Sequence, residues 1–173
     1  MPFVTGRFGT LDKSQSLSHK GIRASRHARN PHPIGGSGLR AMRVCVAHRT
    51  TARLVVGGRL SGYAGAEPGV IEEARLTIQA GRTVLAAGGY GGAAAAVAKR
   101  LRPQDFDMWA PDNYPEHADD TEVRIALDAL EAAHAAVPSV RELDEAFLRT
   151  LTISHRPADI ATATVRLLSQ IAR

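Results

Sequence analysis

Hydrophobic positions alternate between helix-like periods and strand-like runs across residues 39–102. Residues 39–49 carry apolar side chains at positions i, i+3 and i+7, which predicts a short amphipathic helix with Ser37 as its candidate N-cap. Two short apolar runs, at residues 53–56 and 83–87, each stop at a pair of glycines. Runs of this length that end in glycine are typical of buried strands.

A helix is predicted after each of these strands. Pro68-Gly69 opens the first of them, over residues 70–80, and Gly81 follows its C-terminus. The second covers residues 93–102 and ends in basic residues, which the helix dipole favours at that end. Strands that alternate with helices predict an α/β fold, in which helices flank a parallel sheet.

Helices also dominate the prediction for the C-terminal part of the chain. Residues 103–150 are interpreted as a helical insertion, with a proline-rich stretch followed by a helix over residues 121–137. A capping box that starts at Ser139 predicts a further helix. Residues 151–153 are a candidate last, short strand, and Pro157 is predicted in the first turn of a C-terminal helix.

Charge and composition set the N-terminal segment apart from the rest. Residues 1–50 hold nine Lys or Arg and one acid, whereas the remainder holds thirteen basic and sixteen acidic residues. Residues 1–38 are rich in Gly, Ser, His and Pro and show no apolar period, which predicts a flexible basic tail before a single domain over residues 39–173. Such an arm is a candidate for nucleic-acid binding. Its few aromatic residues favour a solvated tail instead, because bases stack on aromatic side chains.

Several classes of protein are excluded by the same sequence. No apolar run reaches the ~18 residues of a membrane helix, and the N-terminus lacks the apolar core of a signal peptide. We therefore predict a soluble, cytoplasmic protein without a membrane partner. Cys45 is the only cysteine, which excludes an internal disulfide, and its place on an apolar helix face predicts a core position.

No metal site is predicted. The seven histidines lack the spacing of metal ligands on a helix. An acidic cluster lies near Trp109 and Tyr114, and a solvated loop is favoured there over a lid or a weak metal patch. Its members are Asp112, Glu116, Asp119 and Asp120.

Two glycine-rich loops carry the candidate chemistry: the first glycine loop, residues 57–69, and the second glycine loop, residues 88–92. Both follow a predicted strand and lead into a helix, which is where open α/β sheets bind ligands. Glycines allow the backbone to approach a ligand closely, and a helix N-terminus favours a phosphate. A tight, closely packed turn explains one such loop equally well, but two at equivalent places favour a nucleotide ligand. The candidate binding residues are Gly57, Gly58, Arg59, Gly69, Glu72, Glu73, Gly88, Gly89, Tyr90, Gly91 and Gly92.

Three charged residues at the first glycine loop have specific candidate roles. Arg59 offers a planar guanidinium group that suits a phosphate. Glu72 and Glu73 fall in the first turns of the helix that follows, where solvated acids are favoured by the helix dipole. The alternative is that one of them holds ribose hydroxyls or acts as an acid or base.

The combination of these motifs resembles the SLOG superfamily, a Rossmann-like group that includes the LOG (lonely guy) phosphoribohydrolases and the Smf DNA-processing proteins. The resemblance rests on Val55-Val56-Gly57-Gly58-Arg59, Pro68-Gly69-Val70-Ile71-Glu72-Glu73-Ala74 and Gly88-Gly89-Tyr90-Gly91-Gly92-Ala93. The pattern looks most like prokaryotic SLOG modules proposed as sensors of nucleotide-derived ligands. The resemblance implies a Rossmann-like domain, a nucleotide or NAD-derived ligand such as ADP-ribose, an effector partner such as a TIR-type protein, and a homodimer.

The chain also departs from the LOG pattern. The proline before Gly57-Gly58 and the Gly-Thr pair of LOG enzymes are absent, so their catalytic residues are not carried over. The resemblance places the first Rossmann strand before residue 39, where this chain has its basic tail. A truncated member of the superfamily is therefore an expectation.

Three functional hypotheses follow. The first is a ligand-sensing module that holds phosphates with its two glycine loops. The second is a LOG-type phosphoribohydrolase that cleaves nucleoside 5′-monophosphates, with Glu73 or Glu72 as the catalytic carboxylate. The third is a nucleic-acid-binding protein that acts through its basic N-terminal arm.

Overall fold

The structure is a computed structural model that describes residues 36–106, 115–138 and 142–173. The chain divides into two units, Met1–His32 and Pro33–Arg173, and the described residues all belong to the second. The predicted tail lies almost wholly outside the described residues, as do Trp109, Asp112 and Ser139. The helices and strands are α1 (Gly36–Arg49), β1 (Ala52–Val56), α2 (Gly69–Gln79), β2 (Thr83–Ala87), α3 (Gly92–Leu101), α4 (Thr121–Ala136), α5 (Glu145–Ile153) and α6 (Pro157–Ile171).

Strands β1 and β2 run parallel and are joined by the crossover helix α2. Leu54 lies opposite Leu85 and Val55 opposite Ala86, and these two strands form the sheet of the described region. Helices lie against both faces of the sheet, but they cover β2 more fully than β1, because Leu54 and Val56 of β1 are 39% and 45% exposed. The predicted α/β fold, with a parallel sheet flanked by helices, is confirmed.

Helices α2, α3 and α4 cover one face of the sheet. Val55 packs there with Ile71 of α2, Val97 of α3 and Leu127 of α4. Residues 93–98 of α3 are each at most 1% exposed, because their small side chains allow the helix to lie close to its neighbours. The predicted helices over residues 70–80, 93–102 and 121–137 are confirmed, and each observed end lies within one residue of the predicted end.

Helices α5 and α6 cover the opposite face. Leu85 of β2 packs with Leu151 of α5 and Leu167 of α6, all of them at most 1% exposed. The prediction of a short strand over residues 151–153 is wrong, because these residues form the last turn of α5. Phe147, Leu148 and Leu151 recur at helical spacing and pack into this cluster, and their burial outweighs the strand preference of neighbouring β-branched residues.

Helix α5 also begins later than its predicted capping box. Residues 142–144 are not helical, and the N-cap is Asp144, whose Oδ1 accepts hydrogen bonds from the N–H groups of Ala146 (2.9 Å) and Phe147 (3.2 Å). We expect Asp144→Ala to lower the free energy of unfolding by about 1 kcal/mol, because these N–H groups lose their acceptor. Urea unfolding measures this loss. Asp144→Asn keeps the acceptor and should stay near wild type, so equal losses in both variants would contradict the capping role.

The predicted core position of Cys45 is wrong, because its side chain is exposed. Arg43 and Ala47, four residues apart, form the inward side of α1. Cys45 lies two residues from each, which turns it roughly 200° away from both at 3.6 residues per turn.

No helix among the described residues combines the length and apolar character that a membrane span requires.

Candidate functional site

The first glycine loop begins where β1 ends and keeps its backbone open at the start. Gly57 has a φ of +59°, and a Cβ atom there would have no neighbour within 4 Å. Gly58 and Arg59 are exposed. The loop therefore presents backbone groups and a guanidinium beside the carboxyl edge of the sheet.

The structure brings the two glycine loops together through backbone hydrogen bonds. The N–H of Ala93 donates to the carbonyl of Gly58 (3.0 Å), and the N–H of Ala94 donates to that of Gly57 (2.7 Å). A Cβ on Gly92 would collide with the Gly58 carbonyl oxygen, so this contact requires a glycine. Two of the N–H groups that begin α3 are thus already used by the first loop.

The second glycine loop is packed closely at its start and open further along. A Cβ on Gly88 would lie 2.5 Å from the Thr152 carbonyl oxygen, and one on Gly89 would collide with that of Ser154. Tyr90 is 45% exposed, and a Cβ on Gly91 would meet nothing within 4 Å. The two loops therefore have different roles. The second packs against the end of α5 and leads into α3, which donates to the Gly57 and Gly58 carbonyls, whereas the first leaves the Cβ side of Gly57 free of neighbours.

Glu72 and Glu73 belong to an ion-pair cluster between α1, α2 and β1. The Glu72 carboxylate, 7% exposed, accepts from Arg40 Nη1 at 2.8 Å and from Arg43 Nη1. Glu73 accepts from Arg43 Nε at 3.3 Å and from Arg53 Nη1 at 2.6 Å. Glu72 is therefore not the solvated helix acid that its position favours, and both carboxylates are held by arginines.

Sequence reasoning missed Arg43, which lies against the beginning of α2. Its side chain is 11% exposed, and its guanidinium occupies the space that a Cβ on Gly69 would need. The signal in the sequence was the pair Arg40 and Arg43, three residues apart on one helix, together with the adjacent Glu72 and Glu73. Nothing local connects the two pairs, because they are about 30 residues apart in the chain.

A cavity of about 530 Å³ lies beside the first glycine loop. Leu60, Tyr63 and Gly65 line it from the loop, and Glu122 and Val123 line it from the beginning of α4. The Tyr63 hydroxyl donates to Glu122 Oε2 at 2.8 Å. This hydrogen bond to a carboxylate raises the pKa of Tyr63 above its ordinary value. Neither Tyr63 nor Glu122 was a candidate from the sequence.

A second cavity, of about 540 Å³, extends along β2 away from the glycine loops. Val84, Leu85 and Leu151 of the core clusters line one part of it, and charged or polar side chains line the rest, among them Arg82, Arg102, His134, Glu142 and Glu145. Among the described residues, no group of three His, Cys, Asp or Glu side chains is arranged to hold a metal ion.

Comparison with known proteins relates the chain to one family. The family model described as SLOG cluster2 matches residues 6–136, which is well over half of the chain. No curated protein and no solved structure matches the sequence. The matched region includes both glycine loops, the ion-pair cluster and the cavity beside Tyr63.

Proposed function

Because the chain belongs to the SLOG family, we propose that it is a Rossmann-like nucleotide-binding module whose first glycine loop holds the phosphates of its ligand. The observation that carries this proposal is the open backbone of Gly57 at the carboxyl end of β1. Ligands of open α/β sheets bind at this edge, and the free space on the Cβ side of Gly57 lets a phosphate approach the main chain from that side.

The electrostatics around the loop support an anionic ligand. Arg59 is exposed and offers a forked donor group for phosphate oxygens. The loop leads into α2, whose first-turn N–H groups have no acceptor within the helix and carry the positive end of its dipole. Because α3 is capped by the first loop, α2 is the helix that supports the phosphates in this proposal.

The proposed ligand class is a nucleotide or an NAD-derived nucleotide such as ADP-ribose, and the proposed role is that of a sensor. In this role, ligand binding reports to an effector protein. Hydrolysis of the ligand receives less support, because Glu72 and Glu73 are both held by arginines and face α1 and β1 rather than the open side of the loop. Arg40 and Arg43, which follow the predicted N-terminal arm, are engaged in ion pairs with Glu72.

Thermal unfolding of the full chain with AMP, ATP, NAD or ADP-ribose tests the proposal. A ligand at about 100 times its Kd stabilises the protein by about 2.7 kcal/mol, which raises Tm by a few degrees. We expect one of these nucleotides to produce this rise and Arg59→Ala to abolish it. Arg82→Ala is the matched control, because Arg82 is also exposed but precedes β2 at the other end of the strand. A cooperative transition that none of the four nucleotides shifts would contradict the proposal.

A further inference from the structure

We propose that the cavity between the first glycine loop and α4 holds the base of the ligand and selects nucleobases that carry an exocyclic amine. This inference rests on the proposed function, since it concerns the other end of the same ligand. It assigns a specificity-determining role to Glu122, with Tyr63 as the residue that positions it.

The cavity has the size and the walls of a base-binding pocket. Its volume of about 530 Å³ lies within the range of small-molecule sites. Tyr63, which is partly exposed, supplies an aromatic side chain to the cavity, whereas Leu60 and Val123 lie behind it in the core and are only 5% and 1% exposed. Planar bases bind well where aromatic and apolar groups meet a small number of polar ones.

The polar group of this cavity is a carboxylate with one oxygen already engaged. The Tyr63 hydroxyl donates to Glu122 Oε2, and no described residue donates to Oε1. A carboxylate oxygen accepts hydrogen bonds only, so it recognises a base through an N–H donor. The exocyclic amines of adenine, guanine and cytosine are such donors, as in the pairing of carboxylates with the cytosine amine. A base that lacks the amine leaves this oxygen without a partner from the ligand.

The distribution of charge also favours the base, rather than the phosphate, as the end of the ligand that enters the cavity. Asp120 and Glu122 line the cavity, and Glu116 and Asp119 lie just before α4 in the chain. These carboxylates disfavour a phosphate in the cavity by like-charge repulsion. Arg59 directly precedes Leu60 in the same loop and does not line the cavity, so a phosphate that it binds lies outside the cavity. The neutral base therefore takes the acidic end of the site.

Calorimetric titration of the full chain with two matched ligand pairs tests this inference. AMP differs from purine riboside 5′-monophosphate only by the exocyclic amine, and GMP differs in the same way from IMP. We expect the aminated member of at least one pair to bind about tenfold more tightly, the size of one hydrogen bond to a charged group. Glu122→Ala should remove this preference. Tyr63→Phe should weaken it without changing which member is preferred.

Glu131→Ala is the matched control, because Glu131 is an exposed glutamate further along α4 that pairs with Arg100 outside the cavity. It should keep the full preference. Equal affinities within both pairs, or a preference that survives Glu122→Ala, would overturn the base pocket while leaving the phosphate site of the proposed function standing. Absence of binding by all four nucleotides and by ADP-ribose would overturn the two proposals together.

Discussion

We expect the Gly92→Ala variant to lose about 3 kcal/mol of unfolding free energy, measured by urea denaturation. Two costs add at this position. Gly92 has a φ of +63°, a left-handed conformation that costs an alanine about 1–2 kcal/mol. Its Cβ would also collide with the Gly58 carbonyl oxygen, and overpacking of this kind costs roughly 1–3 kcal/mol.

The Gly57→Ala variant separates these two costs. Gly57 has a nearly equal φ of +59°, but a Cβ there would meet nothing within 4 Å. We expect it to lose only the conformational part, about 1–2 kcal/mol. Equal losses in the two variants would show that the glycine loops are not in contact at Gly92. A larger loss in Gly92→Ala would support the contact between the two loops at this position.

The second large effect is expected from Arg43→Met. Arg43 is 11% exposed and bonds to Glu72, whose side chain is 7% exposed, and to Glu73. Removing one partner of a buried ion pair leaves the other charge in a poorly solvated place, which typically costs about 3–5 kcal/mol. We therefore expect a loss in this range in urea unfolding. The cause would be that the buried Glu72 carboxylate is left with Arg40, whose side chain is 52% exposed, as its ion-pair partner. Lost packing would contribute little, because methionine keeps most of the apolar stem.

Two further variants distinguish the buried pair from ordinary surface charges. Arg100→Met breaks exposed contacts with Asp128 and Glu131, each more than half exposed, and should cost less than about 1 kcal/mol. The double variant Arg43→Met, Glu72→Met removes both buried charges and should be more stable than Arg43→Met alone. A double variant less stable than the single one would contradict the assignment of Arg43 as the partner that Glu72 requires.

The strand–glycine–helix units were predictable because their signals are local. Apolar runs of five residues, the glycines that end them and the periodic helices that follow all lie within short windows of sequence. Gly81 closes α2 with a φ of +69°, as its position after the last periodic residue predicts. The same local signals failed at residues 151–153, where contacts with β2 decided between strand and helix.

The sequence by itself determined the α/β class, the parallel pairing of two largely apolar strands and the position of both glycine loops at the carboxyl ends of these strands. It did so because the period of apolar residues and the turn residues act between neighbours in the chain, and strands that alternate with helices pair in parallel. Only the tertiary structure decided which loop stays open, which charged side chains form ion pairs within the fold and where a cavity forms. Arg43 reaches Glu72 across 29 positions, and Tyr63 reaches Glu122 across 59. Contacts between residues so far apart depend on how the helices pack, and no short stretch of sequence records that packing.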